Sequence, residues 1–176
     1  TLGVSVEALG IVITPSDGTN PEKVELIEYS GLFNGNGHTI SNAKITTPYE
    51  SAGLFAIVGK DAVITDLYIK NFAFNLAAKD GAKYLCLGAV SGTNYGTIQR
   101  TYVLTSSIVN NKTDNCEAYV GGVVGFNTGV VAQTSFEVSE LVSMGYAGGI
   151  SGANVSVKEV LATVKQANVN ATVWGT

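Results

Sequence analysis

The residues able to do acid–base or nucleophilic chemistry are few and dispersed. Glycoside hydrolysis needs two carboxylates facing one cleft, and among the 14 acidic residues the nearest candidate pair is Asp61 and Asp66. Asp66 and Glu159 share a slot of the repeat described below, but Arg100 and Gln133 stand between them. A uronate lyase would need Lys or Arg against its substrate and often an acidic Ca²⁺ site. Here Arg100 is the one arginine, and no Asp/Glu cluster accompanies it. His38 is the one histidine and Cys86 and Cys116 are the two cysteines, too few to complete a zinc ligand set. His38 is read as a turn residue whose imidazole bonds nearby backbone. No catalytic residue, metal site or cofactor is expected.

The residues that recur are of another kind. Asn94, Asn127 and Asn154 each follow a small-residue turn, Gly88-Ala-Val-Ser-Gly92, Gly121-Gly-Val-Val-Gly125 or Gly148-Gly-Ile-Ser-Gly152, at one offset. If these turns stack, the asparagines form a ladder of amide bonds; a ligand-binding row is the alternative. Gly92, Gly125 and Gly152, with Ala56 in the first unit, would line a corner where a side chain clashes or φ must be positive. Tyr119 and Tyr146 fall at one repeat position, Tyr68 and Tyr102 at another. Exposed aromatic rows can bind sugar faces, whereas half-buried strand tyrosines only pack.

The elements that must position these residues are strands. An apolar rung, Ile-x-Asn/Asp-x-x-Ile, occurs at Ile40–Ile45 and Ile64–Ile69 and returns at Ile98–Val103, Val131–Phe136 and, loosely, from Val157. The rung starts are 24, 34, 33 and 26 residues apart. Such a period marks a repeat array, and short β-branched runs without a helical pattern make the unit a strand unit. The expected fold is all-β, a right-handed parallel β-helix of about five to six coils. Three inward columns follow: Ile40, Ile64, Ile98, Val131 and Val157; Ile45, Ile69, Val103 and Phe136; Leu54, Val90, Val123 and Ile150. A six-residue period for a left-handed helix is absent, and the units are short for propeller blades. A β-sandwich is the alternative.

Residues 1–30 lack the rung and read as an N-terminal capping coil, with strands at 4–6, 10–14 and 23–29 around a turn-rich Pro15–Pro21. Residues 31–176 are the array, in one domain overall. The polar stretches 79–83 and 110–115 read as exposed excursions, and 121–136 as the most buried part. Val169–Trp174 is apolar enough to pair with something beyond it or to cap the array. Cys86 and Cys116 read as two separate buried thiols, a disulfide being the alternative.

Composition narrows the partners. Apolar content of 45% is ample for a core, and 14% charged residues disfavour disorder. With net charge −4 there is no basic stripe for nucleic acid or an anionic membrane. No run of 18 apolar residues or leader pattern is present, which reads as a mature protein or excised fragment without membrane insertion. Few charges with many Gly, Asn, Thr and Tyr suit a secreted or surface protein.

Gly53-Leu-Phe-Ala56, Gly121-Gly-Val-Val-Gly125 and Phe33-Asn-Gly-Asn-Gly-His-Thr-Ile-Ser-Asn42 together resemble the GLUG-motif repeat proteins over roughly residues 31–160. Ala56 in place of the closing Gly, and Ser91 and Ser151 in a usually apolar slot, depart from that pattern. The resemblance implies a β-helix in a bacterial secreted or cell-surface protein, often adhesive, and brings no catalytic residues. The expected function is a non-enzymatic adhesin- or stalk-like module whose partner is a glycan or a host extracellular protein. The alternative is a polysaccharide-active lyase or glycoside hydrolase. An ice-binding surface would need a regular outward Thr column, which Thr39, Thr65 and Thr97 do not make.

Overall fold

Alternating Val, Ile, Phe and Thr favour extended backbone, and the computed structural model is strand throughout, without a helix among the described residues. Those are residues 4–6, 9–20, 23–47, 49–76, 82–110, 117–143, 145–155, 163–170 and 173–174. The fold is all-β and its sheets are mostly parallel. The main sheet carries the rungs, in Leu32–Asn34, Thr39–Ser41 and Ala43–Thr47, then Val63–Lys70 with Ala73–Leu76, then Thr97–Asn110, Val130–Val142 and Thr163–Asn170. A second sheet stacks Ser51–Ala52, Tyr84–Gly88, Glu117–Gly121 and Tyr146–Gly148. A third stacks Glu28–Tyr29, Phe55–Val58, Ser91–Asn94, Val124–Asn127 and Ser151–Asn154. Antiparallel pairing, which a β-sandwich requires, is confined among the described residues to the hairpin of Ile11–Thr14 with Lys23–Leu26.

The 1–30 segment lies against the array on both sides of that hairpin. Val4–Val6 pairs with Ala43–Ile45, Leu9 bridges Phe55, and Glu28–Tyr29 pairs with Ile57–Val58. The hairpin stands between, closed at its base by the Ile27 N–H donating to the Gly10 carbonyl at 2.7 Å.

The register corrects two of the expected columns. Ile64, Ile98 and Val131 do stack, but their neighbour on one side is Phe33 rather than Ile40. Ile40 pairs with Ile69, and through it with Val103 and Phe136. Ile45 belongs to a further column with Phe74, Ile108 and Leu141. The cause is the Asn34–Gly37 corner: Gly35, Asn36 and Gly37 span a turn that Asp66 makes alone in the next unit. At the other end Val131 pairs with Val164, and Val157 lies outside the described residues. Asn154 to Thr163 is a longer connection than Asn127 to Val130, so the strand resumes later than the expected rung. The third column stands as expected, with Leu54, Val90, Val123 and Ile150 joined by backbone bonds of 2.9–3.2 Å to the residues of the next level.

The core fills with these columns. Ile64, Ile69, Ile98, Val103, Val131, Phe136, Phe55 and Phe74 are all essentially buried. Each such side chain contributes roughly 1.5–3 kcal/mol before ordering costs. The 121–136 stretch is mostly buried, and 85–94 is wholly so. Cys86 is a free buried thiol; Cys116 and most of the two polar excursions lie outside the described residues.

Corners between strands are made by left-handed residues that also stack. Asp66, Arg100 and Gln133 hold φ of 54°, 45° and 51° at one corner, and Asn42, Asn71 and Thr105 hold 63°, 54° and 46° at another. Non-glycine residues adopt this region only at a cost, least for Asn and Asp. Gly92, Gly125 and Gly152 serve differently: none has positive φ. A Cβ on Gly92 would lie 2.7 Å from the Cys86 carbonyl oxygen, and one on Gly125 2.7 Å from that of Gly92. The glycines let the second and third sheets touch backbone to backbone.

Two glycine substitutions separate these causes. Gly125→Ala meets backbone on several sides and is expected to lose about 2 kcal/mol or more. Gly18→Ala, in the exposed hairpin loop with φ +85° and nothing within 4 Å, should lose only about 1–2 kcal/mol. Urea unfolding of both variants checks the order; equal losses would refute the steric account.

Candidate functional site

Because the second and third sheets meet at the glycine corner, outward side chains on either side of it line one cleft of about 250 Å³. Cys86 and Tyr119 come from the second sheet and Thr93 and Phe126 from the third, with Tyr84, Tyr95 and Glu117 at the rim. Tyr119 and Phe126 meet at 5.4 Å with their rings at 66°. On its other side Tyr119 stacks on Tyr146, 5.3 Å apart and 9° from parallel. Tyr146 is 58% exposed, so the stack ends in an open ring.

Glu117 fixes this arrangement. The Tyr119 hydroxyl donates to its Oε2 at 2.6 Å. That bond favours the neutral phenol and pushes its pKa up to about 12. The floor is sealed: Cys86 and Thr93 are almost wholly buried, and the Thr93 hydroxyl lies 3.1 Å from that of Ser51. Desolvation pushes the Cys86 thiol up to about 11, which keeps it a thiol rather than a nucleophilic thiolate.

Tyr68 and Tyr102 also stack, at 4.8 Å and 25°. They flank a second cleft of about 250 Å³ with Asp66, Arg100, Asn34 and Asn36. Arg100 is committed there: its Nε donates to Asp66 Oδ1 at 2.7 Å, and its Nη2 to Asp66 Oδ2 at 2.9 Å and to Thr65 Oγ1 at 2.8 Å. Both partners occupy left-handed corners, so side chains one level apart point the same way. Hydrogen bonds from Arg100, then from Thr65, hold the Asp66 carboxyl down at about 2.

The asparagines form an internal ladder. Asn94 Nδ2 donates to Asn127 Oδ1 at 2.7 Å, and Asn127 Nδ2 to Asn154 Oδ1 at 2.7 Å. Asn94 and Asn127 are fully buried, and each also donates to a following glycine carbonyl, that of Gly96 or Gly129. Only Asn154, the last rung, is exposed. At His38 it is the backbone that bonds, its N–H to the Gly35 carbonyl at 2.8 Å and its carbonyl to the Tyr68 N–H at 3.1 Å, and among the described residues the imidazole does not make the backbone bond expected of it. No group of three or more His, Cys, Asp or Glu able to hold a metal occurs among the described residues.

The expected tyrosine pairs are thus adjacent. Tyr84, Tyr95, Phe126 and Glu117 were not legible as partners of Tyr119. Alternation from Gly88 back to Tyr84 could have marked Tyr84 as outward; nothing in sequence places Tyr95 beside it. The chain is similar to halomucin of Haloquadratum walsbyi, 31% identical over 146 residues, covering 78% of this chain. It spans about 2% of the length of that relative. No family model matches the chain, and no solved structure matches it.

Two outcomes follow. Asn127→Ala removes the bonds above and below from a buried position, so it should lose about 2–4 kcal/mol; Asn154→Ala, at the exposed end, should lose under about 1 kcal/mol. Denaturant melts decide, and similar losses would sink the ladder account. A carboxylate whose folded pKa is depressed adds stability above its unfolded value of about 3.9, lost as pH falls through the folded value. Stability should therefore fall between about pH 4 and about pH 2. Asp66→Asn should flatten part of that fall; Asp17, also held at about 2 chiefly by hydrogen bonds from Asn20, supplies another part. Urea midpoints measured across this range check it, and an unchanged acid limb in the variant would refute the Asp66 contribution.

Proposed function

We propose that the chain is a non-enzymatic module of a secreted or cell-surface protein, that its strands close into a right-handed parallel β-helix, and that the Tyr119–Tyr146 stack is its glycan-binding face. The β-helix reading is supported by the in-register parallel ladders, by the stacked left-handed corners and by the buried asparagine ladder. The similarity to halomucin favours an extracellular setting and a small share in a much longer chain.

The observation that carries the binding role is the open, parallel tyrosine stack, its lower ring locked by Glu117 and its upper ring 58% exposed. A sugar's apolar face needs such a flat, rigid aromatic surface, and a pinned ring loses little entropy on binding. Binding is favoured over polysaccharide cleavage because both oxygens of the Asp66 carboxylate, the nearest candidate for such chemistry, are bonded to Arg100, at 2.7 and 2.9 Å.

A glycan and matrix-protein array at physiological salt tests this. The expected result is binding to a defined sugar or matrix protein, weakened about tenfold by Tyr146→Ala. A blank array would remove the glycan face and leave a stalk role. Binding unaffected by Tyr146→Ala and Tyr119→Ala would place the site elsewhere.

A further inference from the structure

We propose that the cleft beneath Tyr119 is an aromatic cage for a quaternary ammonium group, such as the trimethylammonium end of choline. The cleft arises from a change of side-chain size between levels. In the second sheet the column runs Ser51, Cys86, Tyr119, Tyr146, and in the third Ile57, Thr93, Phe126, Ala153. At one level two rings face each other across the corner; one level below, only a thiol and a hydroxyl do. The space left is closed at the back by Cys86 and Thr93 and bordered by Tyr84 and Tyr95, which are 48% and 39% exposed. Four aromatic residues therefore border one cavity, two of them set at 66° as the walls of a corner.

The field in the cleft is negative. Glu117 lines it, and among the described residues no Lys, Arg or His does. Glu50 pushes the Tyr84 pKa up, and burial first, with Glu50 and Glu28 adding to it, pushes up those of Cys86 and Tyr95. An anionic ligand would meet this field unfavourably, whereas ring faces and carboxylates both attract a cation. The hydroxyl at the back is already used, that of Thr93 by Ser51, and at the rim Glu117 Oε2 is used by Tyr119. The deep part of the cleft, lined by Cys86, Thr93 and ring faces, offers a neutral sugar ring or a primary ammonium few hydrogen-bond partners in exchange for lost hydration. A methylated nitrogen has no N–H to satisfy and presents only methyl groups to the rings, which is the chemistry the walls match. This site lies on the other side of Tyr119 from Tyr146, so it does not depend on the glycan reading.

Choline and its uncharged carbon isostere, 3,3-dimethylbutan-1-ol, are titrated against the full chain by ligand-observed NMR and calorimetry at low and physiological salt. The expected result is choline binding, with the isostere weaker by about tenfold or more. Thr93→Phe, which fills the space, and Tyr95→Leu, which removes a wall, should abolish it, and Glu117→Gln should weaken it several-fold. Equal affinity for the two ligands would overturn the proposal, as would binding of neither, or choline binding that survives Thr93→Phe in a folded variant. Displacement of choline by a neutral monosaccharide would also overturn it. The wild-type isostere comparison needs no variant, so a misfolded substitution does not blunt the test. A blank glycan array leaves the choline titration intact, and a choline null leaves the array result intact.

Discussion

At Gly92 and Gly125 the backbone of the third sheet lies so near that of the second that a methyl group has no room. That contact sets the geometry around it. It holds the two sheets at a sharp corner, and the asparagines two residues on then fall into one line, buried at Asn94 and Asn127. Asn127 accepts from Asn94 and donates to Asn154, so burying these polar groups costs little net free energy. A ladder of this kind also fixes register: a strand slipped by one residue would turn its asparagine outward and leave its neighbour's amide unpaired in the core.

On the outside, the same corner brings two strand faces together. Direct stacking then makes the surface a set of columns, and a column's chemistry depends on what each level contributes. Where large follows large, as at Tyr119 and Tyr146, rings stack and present a flat aromatic face. Where large follows small, as at Tyr119 over Cys86 and Phe126 over Thr93, a cavity opens. The Asp66–Arg100 pair obeys the same logic at another corner, since opposite charges one level apart in a column are held side by side. Function in such an array is a matter of which side chains happen to be level neighbours.

Some of this was legible in the chain. The glycine turns and the trailing asparagines recur at fixed offsets, and a fixed offset in a stacked array means a shared column; Asn94, Asn127 and Asn154 therefore read correctly as neighbours. The tyrosine pairs read correctly for the same reason. The first rung did not, because the Asn34–Gly37 corner holds extra residues and the Ile-x-Asn-x-x-Ile pattern falls on Ile40 instead of Phe33. The stretch after Asn154 misled in the same way, its longer connection moving the paired valine from Val157 to Val164.

The sequence by itself determined the all-β character, the period and the identity of the columns around the glycine turns, because these follow from local residue preference and from spacing along one chain. Only the tertiary structure decided which columns face each other. Tyr95 and Tyr84 share a cleft with Phe126 because of corner angles and backbone approach. Those depend on the whole cross-section of the array and leave no periodic trace along the chain.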